Sequence, residues 1–251
     1  ALHNYSEARD RYFKKFGKNH MNVLIATHNI AEAEYFLGNY QKALQYCEEG
    51  KEIAKKIFTE EEQIQASILE ISGLCKLEQG DLDSALSLFE RSLQIKQRKL
   101  DHGHPDFSYT YLGLGRIYME RKDYELALEN FDKVIDIELK IFKDKGRDVG
   151  QAYFYKGRVY CSQSLFDQGL ALLNQAEEYL KNFHGKDSKH PVFALLYEQY
   201  AFYYLQCKDY RMAQKYYQEA WEIQREKLGE DNARTLETKK LIESFKELAK
   251  N

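Results

Sequence analysis

The chain carries GDLDSAL at residues 80–86, and segments of the same design recur as GNYQKAL (38–44), KDYELAL (122–128), SLFDQGL (164–170) and KDYRMAQ (208–214). The third residues of the five segments are spaced 42, 42, 42 and 44 residues apart. Three positions after each of them comes a small residue, alanine or glycine. A fixed period of this kind indicates a repeat architecture, in which one structural unit is stacked several times.

Two small residues and one bulkier residue keep fixed places in every unit. The first small residue is Ala31, Gly73, Gly115, Gly157 or Ala201, and the second is Ala43, Ala85, Ala127, Gly169 or Ala213. Four residues later come Cys47, Phe89, Phe131, Leu173 and Tyr217. Because small side chains let two helices approach to the short end of the ~8–10 Å interaxial range, each unit is predicted to be an antiparallel helix pair. The bulkier residue lies one helical turn further along the same buried face.

The repeat register sets the predicted organisation of an all-α chain. We expect a partial repeat with a second helix only, five full repeats, and a C-terminal capping helix. Their predicted ranges are 1–20, then 21–62, 63–104, 105–146, 147–190 and 191–232, then 233–251. The partial repeat, in which Tyr5, Ala8 and Tyr12 match a second helix, lacks its first helix, so we expect the chain to be a fragment of a larger protein. An amphipathic terminal helix is what a stacked array uses as its cap.

Bulk properties exclude several functions. The formal charge of −3 argues against nucleic-acid binding, which requires a basic face. No apolar run is long enough to span a membrane, so we expect no membrane insertion. The four cysteines lie far apart without a CxxC pair, which predicts reduced thiols and a cytoplasmic location rather than a disulfide framework.

No motif of catalysis is present in the sequence. GxxxxGK[ST], GxSxG and HExxH are absent. His102 and His104 lack further ligands at metal-site spacing and are interpreted as part of a linker. The 40 acidic residues are interpreted as solvated helix faces. We therefore expect a protein that is not an enzyme and needs no cofactor and no metal.

The residue pattern resembles the tetratricopeptide repeat (TPR) family. The third unit carries the resemblance with Leu114, Gly115, Tyr118, Tyr124, Ala127 and Phe131. The usual unit has ~34 residues, whereas this one has 42, and joints such as LDHGHPDF (100–107) and LGEDNART (228–235) resemble the kinesin light chain type. The resemblance implies a right-handed superhelical solenoid that acts as a protein-interaction scaffold.

In this family the first helices line the concave face, through positions 2, 5, 6, 9 and 12 of each unit. Position 1 is Leu24, Ala66, Ser108, Gly150 and Ala194. The resemblance therefore implies a peptide-binding site at Asn29, Tyr109, Arg116, Gln151, Phe154, Tyr155, Arg158 and Gln199. Arginine binds carboxylates through two parallel hydrogen bonds, and exposed rings bury apolar side chains. The expected partner is an extended acidic protein segment with an aromatic or leucine anchor.

Three alternatives remain open at this stage. The two arginines could instead pair with nearby glutamates such as Glu120 and Glu198, with the rings serving only for packing. The chain could be a peptide-sensing regulator of the Rap type. It could also be a structural subunit of a large assembly that binds through its convex or end surfaces.

Overall fold

The structure, a computed structural model, describes residues 2–143, 148–186 and 188–248, with side chains described up to residue 244. The predicted division between the third and fourth repeats, at 146/147, and the two chain ends lie outside these residues. Within the described ranges the chain forms twelve helices and no strand, so the prediction of an all-α repeat array is confirmed.

The helices are α1 Leu2–Phe16, α2 Met21–Phe36, α3 Tyr40–Ile57, α4 Gln63–Glu78, α5 Leu82–Lys99, α6 Asp106–Glu120, α7 Tyr124–Phe142, α8 Val149–Ser162, α9 Phe166–His184, α10 Pro191–Gln206, α11 Tyr210–Leu228 and α12 Ala233–Leu248. We call α2, α4, α6, α8 and α10 first helices, and α3, α5, α7, α9 and α11 second helices. A three-residue turn joins each first helix to its second helix, and so short a turn produces antiparallel neighbours. None of the described helices is long and apolar enough to cross a bilayer.

The chain divides into two compact units, Ala1–Leu126 and Ala127–Asn251. In the first unit α2 packs with α3 and α4 with α5, and in the second α8 packs with α9 and α10 with α11. α1 packs against α2, and α12 packs against α11.

Small residues allow the close helix contacts, as the sequence predicts. A Cβ atom added to Gly73 would lie 2.7 Å from Cδ2 of Phe89, and one added to Gly157 would lie 3.0 Å from Cγ of Leu173. The alanines at both small positions, Ala31, Ala43, Ala85, Ala127, Ala201 and Ala213, have no accessible surface. The bulkier Phe89 and Leu173 are likewise completely buried. The interpretation of these residues as packing residues is confirmed.

The turns between first and second helices require a left-handed residue. Gly38 and Gly80 adopt φ angles of +79° and +77°. The equivalent residues of the later units are not glycine: Lys122, Ser164 and Lys208 have φ angles of 63°, 63° and 58°. Residues with a Cβ atom adopt this conformation at a cost of roughly 1–2 kcal/mol each, so the repeat geometry imposes the turn on these residues.

A buried polar junction orients α12. In the second unit Nε2 of Gln224 donates to Oε1 of Glu198 at 2.5 Å, and Oγ1 of Thr238 on α12 lies 3.5 Å from the same oxygen. The first unit places Lys96, Glu70 and Thr110 at the equivalent positions of α5, α4 and α6. α12 is therefore held against α10 and α11 as α6 is held against α4 and α5, in the manner of a first helix.

Candidate functional site

Exposure along the first helices separates the predicted site residues into two groups. Positions 2 and 9, two helical turns apart on one face, retain accessible surface at Tyr109 and Arg116 in the first unit and at Gln151 and Arg158 in the second. Asn29 and Gln199, at position 6, are also half-buried. We call these residues the first-helix face of their unit: Asn29, Tyr109 and Arg116 in the first unit, and Gln151, Arg158 and Gln199 in the second.

Phe154 and Tyr155 correct the sequence prediction. It expected exposed rings, but they are only 2% and 8% exposed. The ring of Tyr155 stacks on Phe131 of α7, with centroids 5.6 Å apart and an interplanar angle of 13°, and Phe154 meets Tyr155 edge-on. Both rings are used in packing within the second unit, because Tyr155 lies against α7 and Phe154 packs against Tyr155. They cannot bury a partner's side chain.

Arg158 lies above this ring pair. Its guanidinium carbon is 6.0 Å from the Phe154 centroid and 5.8 Å from the Tyr155 centroid. Cations at such distances are attracted to the negative faces of aromatic rings. The buried rings therefore orient a half-buried guanidinium on the first-helix face of the second unit.

Arg116 is held by an acidic residue. Its Nη2 donates to Oε1 of Glu78 at 2.6 Å, and the hydroxyl of Tyr35 donates to the same oxygen at 3.3 Å. These three residues come from α6, α4 and α2, so one carboxylate connects three successive first helices of the first unit. Arg116 therefore pairs with a glutamate, as one of the alternatives expected, and this glutamate is Glu78 of the preceding repeat.

Glu198, the glutamate suggested for Arg158, is occupied elsewhere. Its Oε2 lies 2.6 Å from Nη2 of Arg234 on α12, and its Oε1 accepts the hydrogen bond from Gln224. Glu198 therefore belongs to the junction that orients α12.

Tyr109 packs against a core cluster that includes Leu74, Phe89 and Ile117. Burial raises the pKa of its hydroxyl well above the ordinary value, and the carboxylates of Glu70 and Glu32 act in the same direction. The phenol is therefore neutral at physiological pH and can donate a hydrogen bond.

The amides of the first-helix face have weak local contacts. Nε2 of Gln151 is 3.4 Å from Oδ1 of Asp148, and Oδ1 of Asn29 is 3.2 Å from Nδ1 of His28. The second distance is at the long end of the normal range for a hydrogen bond and the first exceeds it, so both contacts are weak. Replacing these hydrogen bonds by hydrogen bonds to the backbone of a bound segment would therefore cost little free energy.

Exposed apolar residues at positions 2 and 9 were not selected from the sequence. Ile25 of α2 is 42% exposed and Phe202 of α10 is 37% exposed. Both lie at positions that the repeat register marks as accessible, so the register could have identified them. Glu78 follows position 12 and could not be identified, because its role depends on a neighbouring helix.

Comparisons with known proteins place the chain among repeat proteins. Two family models, both described as tetratricopeptide repeat, match residues 64–140 and residues 23–60 and 195–234. A comparison with curated protein sequences returns no match.

Solved structures share the fold at low sequence identity. BtubC (BKLC) from P. vanneervenii is similar with a TM-score of 0.64 and 15% identity, covering 89% of each chain. A putative kinesin light chain from Podosopora anserina with nearly identical TPR-like repeats has a TM-score of 0.56 and 20% identity, covering 81% of this chain and 95% of that one. The APC/C hetero-tetramer Cut9-Hcn1 has a TM-score of 0.64 and 16% identity, covering 97% of this chain and 40% of that one.

Proposed function

Since this chain belongs to the tetratricopeptide repeat family, we propose that it is a non-catalytic protein-interaction scaffold whose first helices bind an extended segment of a protein partner. Stacked repeats act by presenting a long surface to a partner, with no chemistry of their own. A cytoplasmic location belongs to the same proposal.

The observation that carries the proposal is the pair Arg116 and Arg158. Both occupy position 9 of their repeats, both are partly accessible, and each is oriented by its own surroundings: Glu78 for Arg116, and two ring faces for Arg158. An ordered guanidinium loses less side-chain entropy when it binds a carboxylate than a mobile one. The partner segment is therefore acidic.

The apolar anchor of the segment needs a different contact from the one that the sequence suggested. Phe154 and Tyr155 are buried, so the anchor packs against Phe202 in the second unit or Ile25 in the first. An aromatic or leucine side chain suits either contact, because burying it removes apolar surface of both molecules from water.

Charge reversal tests the proposal. Affinity capture from a lysate of the source cells compares the wild type with Arg116→Glu/Arg158→Glu, and circular dichroism shows whether each protein is helical. Synthetic peptides that copy the acidic segments of the captured proteins are then titrated against both proteins. We expect the double variant to lose the capture and to weaken peptide binding by about a hundredfold, since two charge-assisted contacts become repulsive.

Lys239→Glu/Lys240→Glu is the matched control, because both lysines are exposed on α12 and the variant makes the same change in net charge. Equal capture by the wild type and the arginine variant would overturn the proposal. Binding would then belong to other surfaces, as in a structural subunit. Compaction of the chain on peptide binding, measured by X-ray scattering, would instead indicate a peptide-sensing regulator.

A further inference from the structure

A groove of about 640 Å³ lies between the second helices α3 and α5 of the first unit, with α4 as its floor. We call it the α3–α5 groove. The residues that line it are Leu44, Glu48 and Lys51 of α3, Ser72 and Lys76 of α4, and Asp83, Ser84, Ser87 and Leu88 of α5. The residues of the first-helix face do not line it, so it is a separate surface from the one proposed above.

The second unit shows what fills such a groove. By the repeat register, Tyr200, Tyr204 and Tyr216 stand where the first unit has Ser72, Lys76 and Leu88. The rings of Tyr204 and Tyr216 stack at a centroid distance of 5.5 Å and an interplanar angle of 10°, and Tyr200 lies 5.0 Å from Tyr216. In the second unit, aromatic side chains therefore occupy the space between α9, α10 and α11.

The hydroxyl of Tyr200 is satisfied by the neighbouring second helix, α9. The hydroxyl of Tyr200 donates to Oδ1 of Asn174 at 2.8 Å and lies 3.1 Å from Oε2 of Glu177 on α9. Buried hydroxyls need such acceptors, because an unpaired one costs free energy. The second unit thus contains both the rings that fill the space and hydrogen-bond acceptors for the hydroxyl of Tyr200.

The first unit keeps the three helices of this site and one acceptor, Glu48 at the position of Asn174, but it lacks the rings. Ser72 at the floor donates its hydroxyl to the backbone oxygen of Ile68 at 2.9 Å, and Leu44 and Leu88 flank the opening. Serine, lysine and leucine do not supply the three rings that fill the equivalent space of the second unit. A ring supplied by another molecule would restore the packing that the second unit has within its own chain.

Four charged side chains line the groove, the carboxylates Glu48 and Asp83 and the ammonium groups Lys51 and Lys76, and Asp83 is paired with Arg121. By the repeat register, Lys51 stands where the second unit has Glu177, and Lys76 stands where it has Tyr204. Their partners within the chain are Glu48 at 3.2 Å and Asp81 at 3.3 Å, and both lysine side chains are about a third exposed. Ion pairs this exposed are weak, so either ammonium group can exchange its partner for an incoming carboxylate.

From the empty frame and its two lysines we propose that the α3–α5 groove binds an aromatic side chain of a protein partner, with an acidic residue beside it in the partner's sequence. The ring packs between Leu44 and Leu88 over Ser72. The carboxylate of the neighbouring residue pairs with Lys51 or Lys76. This is a second docking point, separate from the first-helix face.

A phage library of random dodecapeptides, selected on the full chain, tests this proposal. The counter-selection uses Ser72→Tyr/Lys76→Tyr/Leu88→Tyr, which fills the groove with the tyrosines of the second unit. We expect selected peptides to carry an aromatic residue next to aspartate or glutamate, to bind the wild type and to lose binding to the filled variant. If the triple variant is not helical by circular dichroism, Lys76→Tyr/Leu88→Tyr replaces it, since it leaves the buried Ser72 unchanged.

A charge test completes the experiment. Lys51→Glu/Lys76→Glu is expected to weaken binding of the selected peptides by about tenfold or more, whereas Lys239→Glu/Lys240→Glu on α12 leaves it unchanged. Enriched peptides without an aromatic residue, equal binding to the filled variant, or equal loss in both lysine pairs would each overturn the proposal. A selection that yields no peptide able to distinguish the two proteins would do the same.

Discussion

Nζ of Lys96 lies 2.6 Å from Oε1 of Glu70, and their side chains are only 2% and 3% exposed. The ammonium also donates to the backbone oxygen of Asp106 at 2.8 Å and to Oγ1 of Thr110 at 3.0 Å, and Ser92 donates to the same glutamate oxygen at 2.9 Å. This ion pair therefore connects α4, α5 and α6 through a fully hydrogen-bonded network inside the first unit.

Removing one member of this pair should destabilise the protein strongly. Lys96→Met leaves the Glu70 carboxylate buried without its cation, and breaking a buried pair in this way costs about 3–5 kcal/mol. Urea denaturation followed by circular dichroism measures the loss. Glu70→Leu/Lys96→Met removes both charges, and we expect it to recover a large part of the stability. Glu70→Leu is measured as well. If the double variant loses as much stability as the two single variants together, the two residues are not coupled.

Gly157 is predicted to tolerate no large side chain. Its added Cβ would lie 3.0 Å from Cγ and Cδ2 of Leu173 and 3.1 Å from the backbone oxygen of Gly169. Gly157→Leu must therefore separate α8 from α9, and we expect a loss of about 3 kcal/mol or more by overpacking. Thermal unfolding measures it. Gln168→Leu, at an exposed position of α9, is the control and should change the midpoint little.

The left-handed turn residues offer a stabilising change. Lys122→Gly removes the Cβ strain at a φ of 63°, and we expect a gain of roughly 1 kcal/mol in the free energy of unfolding. Gly80→Lys, at the equivalent turn with a φ of +77°, is the reciprocal variant and should lose a similar amount. Chemical denaturation measures the free energy of unfolding of both variants. If both variants change it in the same direction, strain at the turn residue does not explain the effect.

Two histidines should make the stability depend on pH. The rings of His184 and His190 stack with centroids 4.0 Å apart at the joint between α9 and α10. Burial lowers the pKa of both imidazoles below the ordinary 6.5, and nearby His184 and Lys227 lower the pKa of His190 further. Phe183 and Phe193 face His184 with their rings.

The direction of this pH dependence follows from proton binding in the folded and unfolded states. The unfolded imidazoles bind protons at a higher pH than the folded ones, so the free energy of unfolding falls as the pH drops below about 6.5 towards the folded pKa values. Above that range both states are neutral and this contribution does not change. Denaturation at a series of pH values should show a shallower decrease for His184→Phe/His190→Asn, in which asparagine keeps the N-cap hydrogen bond to Val192. A decrease in the double variant as steep as that of the wild type would show that these two histidines do not cause the pH dependence.

Residues that act within one repeat were predictable. Ala43, Ala85 and Gly157 could be assigned from spacing alone, because a helix pair that packs closely needs a small residue at the same place in every unit. The first-helix face was predicted only in part. Arg116 and Arg158 are accessible as expected, whereas Phe154 and Tyr155 are buried against a neighbouring helix, which periodicity along one helix cannot reveal.

The amino-acid sequence by itself determined the all-α class, the repeat register and the residues that allow close helix contacts, because these depend on periodicity and side-chain size within a unit. The tertiary structure decided what depends on neighbouring units: the pairing of Arg116 with Glu78, the burial of Tyr155 against Phe131, and the difference between an open α3–α5 groove and its tyrosine-filled equivalent. A side chain's exposure and partners are set by the helices packed against it, and those helices come from distant parts of the chain.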